Sequence, residues 1–130
     1  MKSFKNLSLF IFLSFSISSC DKTETEKKEI ISCGCGKQSP LTEISWINTV
    51  LSSSYSFPNG SLLRLYSGAS FYCCTYNNGN VFYLINPASS LGIATFVVFN
   101  CEGAILINGN DQQMQEFLLQ KKNEQLLWTK

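Results

Sequence analysis

The feature that most constrains the fold is an asparagine-rich turn, residues 77–80 (NNGN), between two runs of aromatic and β-branched residues, 69–76 and 81–85. Asn-Gly between two such runs is a strong hairpin signal, because both residues tolerate a positive φ. We therefore predict an antiparallel hairpin with Asn78-Gly79 as its two-residue loop. The facing pairs expected in this register are Tyr76 with Val81, Cys74 with Tyr83, and Tyr72 with Ile85.

The two faces of this hairpin differ, because successive strand residues point to opposite sides of a sheet. Three tyrosines share one face, and Tyr66 could extend that set from the preceding segment. The residues expected on the opposite face are Phe71, Cys73, Thr75, Phe82 and Leu84. Cys73 and Cys74 therefore point to opposite sides and cannot serve one site without a bulge.

A second hairpin is predicted from residues 93–101 and 104–108, which are joined by a turn at Gly103. These are the most apolar strands, so we expect them at the centre of the sheet. Residues 62–66 suggest a short first strand, and residues 125–129 a last strand or a packed tail.

Two segments have helical character. Residues 39–54 begin with Ser39 as a candidate N-cap and Pro40 at the first helical position. Their apolar residues fall at helical spacing: Leu41, Ile44, Ile47 and Leu51. Residues 111–122 form the second predicted helix. The expected fold is α+β: an antiparallel sheet of four to five strands, made largely of two consecutive hairpins, with an N-terminal helix across one face and a C-terminal helix.

The beginning of the chain resembles a bacterial signal peptide with a lipobox. Lys2 and Lys5 precede an apolar run, residues 7–17, which ends in two serines and Cys20. The run is shorter than the ~20 residues that span a bilayer. The resemblance implies cleavage before Cys20 and attachment of acyl chains, such as palmitate, to that residue. The sequence then divides into a signal peptide (1–19), a lipidated cysteine with a charged flexible tether (20–32), and one globular domain (33–130).

The remaining cysteines point to disulfides. An exported protein lies in an oxidising compartment, where cysteines pair by default. Five cysteines follow Cys20, an odd number, so at least one should stay free, pair between molecules or be buried. The candidates are Cys33, Cys35, Cys73, Cys74 and Cys101.

Several features together resemble the small uncharacterised lipoproteins of Bacteroidota. Besides the lipobox and the tether, they are Trp46-Ile47, Cys74-Thr75-Tyr76, Val81-Phe82-Tyr83, Pro87, Cys101-Glu102-Gly103 and Leu126-Leu127-Trp128. The resemblance implies an outer-membrane lipoprotein of the cell envelope. It implies no activity and brings no functional residue with it.

Composition disfavours several classes of function. The chain has no histidine, which removes the commonest general base and the commonest metal ligand. Its formal net charge of +1 does not indicate a positively charged surface for binding nucleic acid. The carboxylates expected in the ordered part form no paired-acid spacing: Glu43, Glu102, Asp111, Glu116 and Glu124. We expect neither an enzyme, nor a metal site, nor a cofactor.

Three functions are compatible with this sequence: a non-catalytic binding or inhibitor-like module, a structural envelope component, and a thiol-based enzyme. The first is preferred. The candidate binding face contains Tyr66, Tyr72, Tyr76 and Tyr83, because tyrosines suit surfaces that are wet in one state and buried in another. Expected partners are the membrane, through acyl chains on Cys20, and an envelope protein or glycan. Cross-strand tyrosine pairs can also simply stabilise a sheet.

The lipobox leads to a direct prediction. Cys20→Ser should abolish acyl labelling, and should either release the domain from membranes or leave the precursor uncleaved, because acyl chains supply the anchor. Metabolic labelling with a fatty acid, together with membrane fractionation, measures both effects. Normal acylation of the variant would contradict the lipobox assignment.

Overall fold

The structure, a computed structural model, describes residues 33–87 and 94–130. The predicted signal peptide, the lipid attachment at Cys20 and the charged tether lie outside the described residues. Within them the chain is a small α+β structure with one five-stranded antiparallel sheet. The elements are α1 (Pro40–Glu43), α2 (Ser45–Leu51), β1 (Ser70–Tyr76), β2 (Gly79–Asn86), β3 (Thr95–Phe99), β4 (Ile105–Gly109), α3 (Asp111–Gln120) and β5 (Lys122–Thr129).

Strand order in the sheet is β4-β3-β2-β1-β5. Both predicted hairpins are present, and the last segment is a strand that pairs with β1. The expectation that the second hairpin occupies the centre is wrong for β4, which forms one edge. The central strand is β2.

The hairpin between β1 and β2 exists, but the predicted loop is shifted by one residue. Asn77 and Asn78 are the two central residues, with φ of 48° and 62°, and Gly79 already pairs with Tyr76. Asparagine tolerates this left-handed conformation better than other side-chain-bearing residues, so Asn-Asn satisfies the turn without glycine. Each facing partner therefore moves by two positions, and every side chain keeps its predicted face.

Residues 62–66 do not form the predicted strand. Leu62 makes a single bridge to Ser56, while Leu63 and Leu65 are buried. Two backbone groups of this segment are bound by the side chain of Asn86 instead. Its carboxamide accepts from the Tyr66 N–H at 2.9 Å and donates to the Arg64 carbonyl at 2.7 Å.

The predicted N-terminal helix is divided. Ile44 has extended backbone between α1 and α2, with φ of −107° and ψ of 104°. Its side chain is buried together with Ile47 and Val50. Residues at and after the interruption thus remain in the core.

Helix α3 has a capping box at its start. The Asn110 side chain accepts from the Gln113 N–H, and the Gln113 side chain accepts from the Asn110 N–H. Two backbone donors at the helix start are thereby satisfied. The helix ends before Lys121, which is extended. The predicted helix, residues 111–122, is therefore two residues too long, and Lys122 already belongs to β5.

Each face of the sheet has its own buried cluster. On one face, Phe71, Phe82 and Leu84 belong to the same cluster as Ile47 and Val50. The other face contains the second cluster: Cys74, Val81, Tyr83, Phe96, Val98 and Phe117. Cys73 belongs to the first cluster and Cys74 to the second, as the strand alternation predicts.

Two disulfides tie the start of the domain to the first face of the sheet. Cys33 bonds to Cys73 in β1, and Cys35 bonds to Cys101 in the turn after β3. The side chain of Trp46 packs nearby and donates to the Cys101 carbonyl at 3.1 Å. A Cβ on Gly103 would lie 2.7 Å from this indole, so the turn needs glycine for space as well as for its φ of 84°.

The disulfides should be major contributors to stability. Cys33 and Cys73 are separated by 40 residues, and Cys35 and Cys101 by 66. Loops of this size restrict the unfolded chain by roughly 4 kcal/mol each in the chain-entropy treatment. We expect Cys35→Ala/Cys101→Ala to lower the free energy of unfolding by about 2–4 kcal/mol in urea titrations.

Thiol counting provides the control for this experiment. In a Cys20→Ser chain unfolded without reductant, alkylation should modify one thiol, and after reduction it should modify five. More than one modified thiol before reduction would contradict the two bonds.

Candidate functional site

Three of the four predicted tyrosines come together on the second face of the sheet. Tyr72 and Tyr83 are cross-strand partners whose rings stack, with centroids 4.8 Å apart. Tyr76 lies at the hairpin end of the same face. Tyr66 does not join them, since it is in the segment before β1 and is 37% exposed.

Helix α3 covers much of this tyrosine face. Its Phe117 is buried, and its ring lies 4.8 Å from Tyr76, 5.1 Å from Tyr83 and 5.4 Å from Phe96 between centroids. Tyr83 is only 1% exposed. The centre of the face is therefore part of the core, whereas Tyr72 and Tyr76 are half-buried and Tyr76 borders a surface groove.

The hydroxyl of Tyr83 belongs to a small polar cluster with Glu124 and Lys121. It donates to the carboxylate of Glu124, which also pairs with the ammonium of Lys121. That ammonium lies 5.9 Å from the centroid of the Tyr83 ring. The sequence alone does not reveal this contact, because Glu124 and Tyr83 are brought together by the pairing of β5 with β1 and of β1 with β2.

Burial and charge shift the pKa values in this cluster. Burial raises the pKa of Tyr83 well above its usual range, and the neighbouring carboxylate adds to the increase. Burial opposes ionisation of Glu124, but hydrogen bonds from Lys121 and Tyr83 outweigh it and lower the pKa of that carboxyl. The stability from Glu124 is thus present above the ordinary glutamate pKa of ~4.3, and is lost as the pH falls through the lowered value.

Cys74 is the free cysteine among the described residues, and it is completely buried. Burial raises the pKa of its thiol to about 11, while the positive charge of Lys121 partly counteracts the increase. The thiolate is the nucleophilic form of cysteine, so this side chain is protonated and inert near neutral pH. The other four candidate cysteines are held in the two disulfides.

A groove of about 490 Å³ lies beside the β1–β2 turn, and we call it the turn groove. One side is formed by residues of that turn and its flanks: Tyr76, Asn77, Gly79, Asn80 and Val81. The other side is formed by Asn100 and by Leu106 and Ile107 of β4. None of these residues is Asp, Glu, Lys or Arg, so the groove is suited to an uncharged ligand.

Sequence reasoning identified one residue of this groove, Tyr76, as a binding residue. The sequence shows Asn77 and Asn80 only as residues of a turn, and this turn is the one feature that could have pointed to the groove. Leu106 and Ile107 could not be found, because β4 reaches the first hairpin only through β3, which pairs with both β2 and β4. A second, smaller groove of about 310 Å³ lies at the opposite sheet edge, beside Pro40 and Leu126.

Groups of metal ligands and membrane-spanning helices are both missing from the part of the chain that the structure describes. No group of three or more metal-ligating side chains comes together there. Likewise, no helix within residues 33–87 and 94–130 is long and apolar enough to cross a bilayer. The two disulfides suggest a location outside the cytoplasm.

Comparison with known proteins finds no matching family model, no matching curated protein and no matching solved structure.

The buried Cys74 predicts a loss of stability at alkaline pH. The folded thiol ionises near 11 and an unfolded thiol near 8.5, so its contribution is complete below pH ~8.5 and is lost as the pH rises to 11. This loss should reach about 2–3 kcal/mol. Tyr83 should add to it above pH ~10.

Cys74→Ala removes this titration and provides the control. Urea unfolding at pH 7, 8.5, 10 and 11 should show the variant less stable at neutral pH, with a difference that shrinks as the pH increases. Parallel curves for wild type and variant would rule out an ionisation of Cys74 linked to unfolding.

Proposed function

We propose that this chain is a lipid-anchored, non-catalytic binding module of the cell envelope. In this proposal acyl chains on Cys20 hold it in the outer membrane, as in the Bacteroidota lipoproteins that it resembles. Helices α1 and α2 on one face of the sheet and α3 on the other stabilise the domain. The turn groove is the surface that recognises an envelope protein or glycan.

The observation that carries the proposal is the chemistry of the turn groove. It combines the Tyr76 ring with aliphatic side chains and three asparagine carboxamides, within a volume typical of ligand sites. Carboxamides fix the orientation of a ligand through directed hydrogen bonds, and the apolar groups provide contact area. The inert Cys74 and the disulfide-bonded cysteines support a binding role over a thiol-based one.

Two exposed leucines allow a matched test. Leu106 borders the turn groove and is 51% exposed, while Leu126 borders the second groove and is 53% exposed. We expect Leu106→Arg to abolish capture of envelope material by the immobilised full-length chain, because it places a charge at an uncharged site. Leu126→Arg should leave capture unchanged.

Captured material is measured as protein by mass spectrometry and as carbohydrate by sugar analysis. Thermal unfolding of both variants confirms that they remain folded. Equal capture by wild type and Leu106→Arg would exclude the turn groove as the binding surface, and no capture by wild type would exclude the binding function itself.

A further inference from the structure

We infer that the turn groove binds uncharged sugar units of a glycan. The inference rests on the proposed binding function and specifies its ligand. It follows from the way in which the fold assembles apolar, aromatic and amide groups around one concavity.

A β-bulge builds the apolar side of the groove. Phe99 pairs with Ile105, but Val98 pairs with Ile107, so Leu106 is an extra residue opposite the regular strand β3. Consecutive residues of a regular strand point to opposite faces, whereas Leu106 and Ile107 both line this groove. Bulges redirect side chains in this way beside functional sites.

The aromatic side of the groove is the ring of Tyr76, and a buried residue fixes the position of this ring. The ring of Tyr76 packs against the buried Phe117, with centroids 4.8 Å apart, and also borders the groove. A fixed ring loses little conformational freedom when a ligand packs on it. The C–H groups of a sugar ring are apolar enough to contact such a surface and the adjacent leucine.

Asparagine carboxamides supply the polar contacts. The Asn100 oxygen accepts from the N–H groups of Glu102, at 3.0 Å, and Ala104, at 2.8 Å, which orients its amide NH₂ as a donor. The side chains of Asn77 and Asn80 make no hydrogen bond to another described residue. Each can both donate and accept, which matches the dual capacity of a sugar hydroxyl.

The geometry favours a sugar over an extended peptide. A peptide would bind by adding a strand to the free edge of β4, which needs a regular row of backbone donors and acceptors. The bulge at Leu106 interrupts that row. The volume of about 490 Å³ and the absence of Asp, Glu, Lys and Arg from the lining suit one or two neutral sugar rings.

The probes are maltose, cellobiose, lactose and N,N′-diacetylchitobiose, with digalacturonic acid as the charged comparison. Each is titrated into the purified, ¹⁵N-labelled full-length chain in detergent, and side-chain amide signals are followed by NMR. We expect at least one neutral disaccharide to shift the signals of Asn77, Asn80 or Asn100, and digalacturonic acid to leave them unchanged.

Matched variants separate the site from the rest of the surface. Asn80→Leu should weaken binding roughly fivefold, because it removes one hydrogen-bonding group at nearly constant size. Asn108→Leu, at an exposed amide of β4 outside the groove, should have no effect.

The inference is overturned if no neutral disaccharide shifts these amides, if digalacturonic acid binds equally well, or if Asn80→Leu binds like wild type. Should envelope capture still depend on Leu106 in any of these cases, the binding function would stand with a ligand of another class. Failure of both experiments would remove the binding function as well.

Discussion

The structure depends on the burial of strand β2 on both faces. Residues 81–84 are all buried, with Phe82 and Leu84 on one side and Val81 and Tyr83 on the other. Full burial of one such apolar side chain contributes about 1.5–3 kcal/mol, so neither face can be left open without a large cost. A domain of this size therefore needs a cover on each side of its sheet.

The two covers are held in different ways. On the first face, the disulfides of Cys33 and Cys35 fasten the beginning of the domain to β1 and to the turn after β3. On the second face, α3 inserts Phe117, and the polar cluster of Lys121, Glu124 and Tyr83 follows where the helix passes into β5. The first face is thus covered by a segment that two disulfides hold across long loops. The second face is covered by helix α3, which is followed directly by the edge strand β5.

Much of this arrangement could be predicted from the sequence, because it is local. The asparagine-rich turn and the period-two alternation gave the antiparallel hairpin and the correct face for each of its residues. What could not be predicted depends on distant partners. The Asn86 side chain bonds to the backbone of Arg64 and Tyr66 in place of the predicted strand pairing. β4 stays at one edge because β5 pairs with β1 at the other edge. The register error arose because Asn-Asn and Asn-Gly both satisfy the same tight turn.

At the candidate site, too, the sequence predicts which residues share a face but not which residues cover that face. Alternation brought Tyr72, Tyr76 and Tyr83 to one side, but it carries no information about what lies over them. Phe117 was visible only as one apolar residue on a predicted helix. Phe117 covers Tyr83, which leaves Tyr72 and Tyr76 half-buried, and Leu106 and Ile107 of β4 form a groove beside Tyr76. In the proposed function, binding and stability would therefore share one aromatic cluster, with Tyr76 both packed against Phe117 and bordering the groove.

The odd number of cysteines has a simple physical origin in this sheet. Cys73 and Cys74 are adjacent in β1, so only one of them can face the segment that contains Cys33 and Cys35. Cys74 points to the opposite face, among Tyr83, Phe117 and Val98. Burial there keeps the thiol protonated and out of reach of the other cysteines, and thiol–disulfide exchange requires an accessible thiolate. The strand alternation that determines which cysteine is bonded to the beginning of the domain therefore also protects the remaining thiol from mispairing.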